Sequence, residues 1–213
     1  AINEIYGLPI NDLRLARYTT HNYGEEIKGD PGRLMIVQSI GGSAMCGLVE
    51  GGLIVVSGKA VPIFSKTLEQ DSSVIIGVPD DYVPLDAQAM MEAEIANMDG
   101  FTHAGNEYSG EISYRLVHEV LPGLVTGDLK PCKDLIFDYR WDMGSIASCS
   151  FVYPKMVDIA ESMRDLKDDP RATIIAPSSV GPAFFALTKD PEYISERFSE
   201  LGMKVYETTV HND

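Results

Sequence analysis

The chain has 213 residues, 45% of them hydrophobic and 23% charged, and a formal net charge of −15 at pH 7. That length buries a core without a metal or disulfide staple, while the negative field repels phosphate backbones and anionic lipid, which excludes a general nucleic-acid or membrane-surface role. Three widely spaced cysteines, Cys46, Cys132 and Cys149, point to a reducing compartment; the apolar runs are too short for a membrane helix of about 20 residues, and the amino terminus lacks the basic start and apolar middle of a secretory signal, so a cytoplasmic protein is expected.

In chain order, Ile2, Ile5, Leu8, Ile10, Leu13, Leu15 and Ala16 are broken by Pro9 and by Asn11-Asp12, which predicts a short helix, a turn and a second helix. The start at Ala1, inside an amphipathic helix, carries the expectation that sequence precedes it. An exposed apolar face there would be covered by such a segment or by self-association into a homo-oligomer. Tyr18 to Arg33 has glycines, Pro31 and mixed charges without an apolar period and reads as an exposed loop. QSIGGSAMCGLVEGG then reads as a glycine-rich turn into a helix of small residues, followed by a hairpin-like strand pair, LIVVSG and VPIFSK.

SSVIIGVPDD is an apolar strand stopped by Pro79 and two aspartates, and PLDAQAMMEAEIANM is rich in helix formers. A long helix is predicted over 107–121, its core face formed by Ile112, Leu116, Val117, Val120 and Leu121. Further helices are predicted over 131–140 and 154–166, the second with proline in its first turn. The closing section reads strand, small-residue turn, strand, helix stopped at Gly202, and strand. The whole pattern predicts an α+β fold with helices on one face of an antiparallel sheet.

The strongest local signal is APSSVGPAFFAL, where two hydroxyls, a glycine and a proline between apolar strands make a tight turn that can turn N–H groups toward a ligand. Asp80 closes an apolar strand, where it serves either as a turn cap or as a magnesium-binding carboxylate. The acidic pairs Asp80-Asp81, Asp168-Asp169 and Glu25-Glu26 otherwise read as solvated turns. His21 and His103 are placed in loops, His118 on a helix and His211 near the end, without the i, i+4 spacing of a helical zinc site. His21 reads as either surface or general base, and His118 as a satisfied helix residue. The cysteines lack C-x-x-C spacing and read as buried small apolar side chains.

Ser-Ser-x-Gly-Pro followed by strand, helix and strand resembles the third motif of the GHMP kinase superfamily. IGGSAMCGLVEGGLIVVSGK and SYRLVHEVLPGLVTGDL are similar to stretches of its β-ribofuranosylaminobenzene 5'-phosphate synthase group, in the same order along the chain. The resemblance implies a GHMP-kinase-like α+β fold, with the remainder of an amino-terminal domain over 1–80 and a ferredoxin-like carboxyl-terminal domain over 81–213. It also implies a cytoplasmic transferase that moves a phosphoribosyl group from phosphoribosyl pyrophosphate to a hydroxy- or aminobenzoate, with decarboxylation, in archaeal methanopterin biosynthesis. Gly41, Gly42, Ser43, Ser178, Ser179 and Gly181 would contact the phosphorylated small-molecule substrate, and magnesium would accompany the pyrophosphate, with Asp80 as its ligand. No catalytic residue is assigned. Two alternatives remain open: an ATP-dependent small-molecule kinase of the same superfamily, and a non-catalytic binding or assembly domain. The superfamily's nucleotide loop, upstream of the helix matched by Ala1 to Arg17, does not lie within these residues. Gln38, Ser39 and Ile40 replace the arginine and glycines of the group's helix start.

Overall fold

The computed structural model describes residues 7, 10, 24–26, 34–36, 51–56, 62–69 and 71–212. The expected opening helices, His21, the turn at Gly41 to Ser43 and Cys46 lie outside the described residues. The chain divides into two compact units, Ala1–Gln70 with Val210–Asp213, and Asp71–Thr209. The division falls ten residues before the expected boundary at 80, because Ser73–Pro79 is a central strand of the second unit.

In the first unit, strand β1 (Gly24–Glu26) pairs antiparallel with β2 (Leu34–Ile36). The segment expected to be a loop thus contains a strand, and its three residues lack the apolar alternation by which a strand is read. The expected hairpin is present as β3 (Leu53–Val56) and β4 (Pro62–Lys66), with a register shift between Val55 and Val56. The chain end joins this unit through backbone and side chain: Gly52 N–H donates to His211 O at 2.6 Å, and Asn212 exchanges two hydrogen bonds with the backbone of Leu68, each 3.0 Å.

The second unit is built on a four-stranded antiparallel sheet of β5 (Ser73–Pro79), β6 (Ala172–Pro177), β7 (Phe184–Thr188) and β8 (Met203–Thr209), in the order β6-β7-β5-β8. Helices cross between β5 and β6 and between β7 and β8, which is the ferredoxin-like arrangement. The β-branched run of β5 favours extended backbone, and Ile75, Gly77 and Pro79 alternate onto its buried face. Gly77 is required there: a Cβ would come 2.6 Å from Met203 Sδ and 2.7 Å from Phe198 Cδ2.

Helix α1 (Ala87–Ala96) is capped by Asp86, whose Oδ1 accepts the Ala89 N–H at 2.9 Å. Helix α2 (Met98–Arg115) starts nine residues earlier than predicted and includes His103, which pairs with Glu107 rather than sitting in a loop. It runs through a π-helical turn at Leu116–Val120 into α3 (Leu121–Thr126). Pro122 explains the widened turn. Proline cannot donate to the carbonyl four residues back and its ring collides with it; the π turn, in which Leu121 N–H bonds to Leu116 O, takes up the misfit without ending the helix. The helix stops instead at Gly127, with φ 91°. The face expected to be core is only partly so: Val120 is buried, but Val117 is 54% exposed.

Helix α4 (Lys130–Phe137) leads into a second π-helical turn at Asp138–Asp142, then α5 (Ser145–Ser148), α6 (Met156–Glu161), a 3-10 turn at Arg164–Lys167, and α7 (Pro191–Glu200). The helix expected over 154–166 is thus two short pieces. Phe137, Trp141, Met156, Leu166 and Phe198 from these elements, with Met163 between two of them, join Ile75, Ile175 and Phe184 of the sheet in a single apolar cluster, so the helices cover one face, as expected. Each fully buried phenylalanine contributes about 2–3 kcal/mol. Trp141 stacks on Phe137 with ring centroids 4.0 Å apart and donates its indole N–H to Ala160 O at 2.8 Å. Among the described residues no helix is long and apolar enough to cross a membrane.

Asp138 ties three elements together, accepting from Arg115 at 2.8 Å and Lys167 at 2.5 Å. Burial pushes its carboxyl up, but the hydrogen bonds from Lys167 and Arg115 outweigh it and hold the group below the usual carboxylate range. A carboxyl depressed on folding stabilises above its unfolded pKa, and that contribution is lost as the pH falls through the folded value. Asp138→Asn is therefore expected to lower stability at neutral pH by about 2 kcal/mol and to flatten the acid limb below about pH 5, as followed by urea denaturation against pH. Gly77→Ala is expected to cost about 1–3 kcal/mol by overpacking; an unchanged urea midpoint would contradict the close packing of Phe198 and Met203.

Candidate functional site

Strands β6 and β7 are joined by the turn Ser178–Ala183, at the end of the sheet where β5 also ends. Its hydrogen bonds decide what it can offer. Ser178 N–H donates to Ala183 O at 2.8 Å, and Gly181 N–H donates to Ser178 O at 2.9 Å, so both amides are committed within the turn. Pro182 has none. The amides of Ser179 and Val180 have no partner among the described residues, and the side chains of Ser178 and Ser179 are exposed. Of the three turn residues expected to contact phosphate, Ser179 therefore offers both hydroxyl and amide, Ser178 its hydroxyl, and Gly181 its backbone shape.

Gly181 has φ 84°, a conformation that other residues adopt at a cost. Its α-carbon also lies against Met156: a Cβ would meet Met156 Cε at 2.5 Å and Sδ at 2.7 Å. Ser179, with φ 54°, is the one positive-φ residue other than glycine among the described residues. Non-glycine residues in this region cluster at functional sites.

Arg140 fixes the turn from the helical side. Its Nη1 donates to Ser179 O and to the buried Ser145 Oγ, each at 3.1 Å. Because the Ser179–Val180 peptide is trans, its C=O and N–H point in opposite directions. A guanidinium holding the carbonyl therefore turns the Val180 N–H the other way and polarises it as a donor. Arg140 escaped the sequence reading because it is supplied by the π-helical turn Asp138–Asp142, a feature frequent at functional sites that no residue pattern announces.

On the other side of α6, Asp80, Asp81, Tyr153, Lys155 and Asp158 line an open depression of about 360 Å³. Lys155 stands at this depression and its neighbour Met156 lies beneath Gly181, so one dipeptide links the two regions. Asp81 is fully engaged: Lys155 pairs with Oδ2, and the Tyr153 hydroxyl donates to Oδ1 at 2.5 Å. Those two bonds hold its carboxyl below the usual range, while burial and Asp81 push the Tyr153 phenol up to about 12. Asp80 is exposed, and its backbone N–H caps the turn by donating to Gly202 O at 3.0 Å. Among the described residues no group of three or more His, Cys, Asp or Glu side chains could hold a metal ion. Asp80 alone fits magnesium only as one ligand to an ion that keeps its waters and arrives on phosphate oxygens.

Cys132 and Cys149 are free and buried, as expected, and burial pushes both thiols up to about 11. His118 is exposed and its ring packs against Tyr114 at a tilt of 39°, with centroids 4.6 Å apart.

No protein-family model and no curated protein matches the chain. Among solved structures, a homoserine kinase from Cytophaga hutchinsonii is similar to it, with a TM-score of 0.54 at 17% sequence identity, covering 100% of this chain and 62% of that one. The fold is thus the mixed α+β, GHMP-kinase-like architecture expected from the sequence. The chain spans about 62% of the length of that kinase.

Gly181→Ala is expected to cost about 1 kcal/mol or more in stability, because the native φ is incompatible with a side chain. Arg140→Met is expected to leave the fold intact while the Val180 amide loses its fixed orientation. Amide hydrogen exchange checks this: Ser178 and Gly181 should stay protected in Arg140→Met, with Val180 shifting most in the spectrum.

Proposed function

We propose that the turn Ser178–Ala183 receives the phosphate of a phosphorylated donor, and that the chain takes part in ATP-dependent phosphorylation of a small molecule. The observation that carries this reading is the pair of unpartnered amides at Ser179 and Val180, set beside two exposed hydroxyls and braced by Arg140. Donors fixed before the ligand arrives stabilise developing phosphate charge without reorganising. The structural likeness to a homoserine kinase, which extends over all of this chain, supports a kinase rather than another transferase. In such a reaction the bond from the γ-phosphorus to the bridging oxygen breaks, a bond to the acceptor hydroxyl forms, and the hydroxyl proton passes to a base. Gly41, Gly42 and Ser43 remain proposed as further phosphate contacts. Asp80 is proposed as a ligand to a magnesium ion brought in by the nucleotide, which would neutralise charge between the phosphates.

A second reading, phosphoribosyl transfer to a hydroxy- or aminobenzoate, is favoured by the stretches Ile40–Lys59 and Ser113–Leu129, which resemble the synthase group. Phosphorus NMR of the protein with magnesium separates the two. Incubation with ATP and a panel of small hydroxylated acceptors, homoserine among them, is expected to yield ADP and a phosphomonoester. Pyrophosphate released from phosphoribosyl pyrophosphate in the presence of 4-hydroxybenzoate would favour the second reading instead. Neither product, with no saturable binding of either donor, would contradict both and favour a non-catalytic binding or assembly domain.

A further inference from the structure

At the opposite end of β6 from the turn, a cavity of about 310 Å³ is lined by Lys130, Lys133, Lys167, Asp168 and Thr173, with Leu129, Pro170 and Ala172 completing its wall. Ala172 and Thr173 begin the strand whose last residue, Pro177, enters the turn, so the two sites are roughly 15 Å apart at the ordinary rise of a strand. In a chain of net charge −15, three lysines lining one cavity need a reason.

The charges are unequal in their surroundings. Lys130 pairs with Asp134 at 2.6 Å, and Lys167 pairs with Asp138 at 2.5 Å. Asp169, the other nearby acid, is engaged by Arg171 at 2.7 Å. Lys133 is different. It is only 7% exposed, and its ammonium donates one hydrogen bond, to the backbone carbonyl of Asp169 at 2.8 Å. No carboxylate oxygen lies within 4.0 Å of it among the described residues, so up to two of its three N–H bonds have no protein acceptor. Buried charges are rarely left without a counter-charge, because desolvation is costly and only a partner offsets it. Burial outweighs the attraction of Asp134, Asp169 and Asp168 and pushes the Lys133 amine below the usual lysine range. That is the mark of a cation whose own surroundings do not balance it.

We propose that this cavity is a second anion site, which takes a phosphate group with Lys133 as its buried counter-charge. Lys130 and Lys167, each already paired with a carboxylate, line the same wall, Thr173 offers a hydroxyl, and the volume admits a group larger than the bare ion. A phosphate suits it because ammonium groups act as compact point charges toward phosphate oxygens. Asp168 in the wall opposes the anion and tunes its affinity. The site is independent of the proposed donor site at the turn.

The test uses the full chain with inorganic phosphate, chloride holding the ionic strength constant. Phosphate is expected to raise the melting temperature saturably and to slow reductive methylation of Lys133, read by mass spectrometry, by tenfold or more. Lys133→Met should fold and weaken phosphate binding at this cavity at least tenfold, read from the Ala172 and Thr173 amide signals in a proton–nitrogen correlation titration. Asp168→Asn should tighten binding several-fold, and Arg140→Met should leave protection of Lys133 unchanged. Methylation of Lys133 at the same rate with and without phosphate would overturn the proposal, whatever the stability of the variants. Ala172 and Thr173 amide signals that still move saturably with an unchanged midpoint in Lys133→Met would overturn it as well.

Discussion

The second unit depends on the two-sided pairing of Ser73–Pro79. This strand is hydrogen-bonded to β7 on one edge and to β8 on the other, so it fixes the register of both. Its buried face is interrupted at Gly77, and the missing side chain is filled by Phe198 from α7 and Met203 from the start of β8. Helix, sheet and following strand are thereby locked at a single point. A strand with a side chain at 77 would hold the helix off the sheet, and interiors at close-packed density do not absorb such a gap.

That lock positions both ends of the sheet. At one end the β6–β7 connection has no length to spare, and it closes by bonding two of its own amides internally. What remains is a donor pair on Ser179 and Val180, oriented because Arg140 holds the carbonyl between them. At the other end, the start of β6 meets α4 and the 3-10 turn, and three lysines gather at one cavity. The same strand thus separates two regions of opposite construction. As proposed, the turn would work through neutral backbone dipoles and the cavity through formal charge.

Much of this fold was legible in the sequence because its strands carry the signals that local physics requires: β-branched runs, a Ser-Ser-x-Gly-Pro turn, and Gly202 at the stop of α7. The closing β-turn-β-α-β was legible as an element order, while the strand order β6-β7-β5-β8 is supplied by the structure. The helical region was less legible. Pro122 reads as a helix stop, yet a π turn absorbs it, and the second π turn brings Arg140 to the turn with no sign in the residue pattern. Within the turn, residue type suggests phosphate-binding chemistry but does not say which amides are available, since that depends on hydrogen bonds closed across the turn. Lys133 was invisible for a related reason. Nothing along the chain distinguishes a lysine paired with a neighbouring acid, such as Lys130, from one buried against a carbonyl 36 residues away.

Phosphate binding at the turn is proposed to run through the Ser179 and Val180 amides. The most direct measurement is a proton–nitrogen correlation titration of the full chain with ATP and magnesium. The amide signals of Ser179 and Val180 are expected to move saturably and to low field, as new hydrogen bonds form, while Ser178 and Gly181 remain near their starting positions. Saturable movement elsewhere in the chain, with Ser179 and Val180 unmoved, would contradict the account.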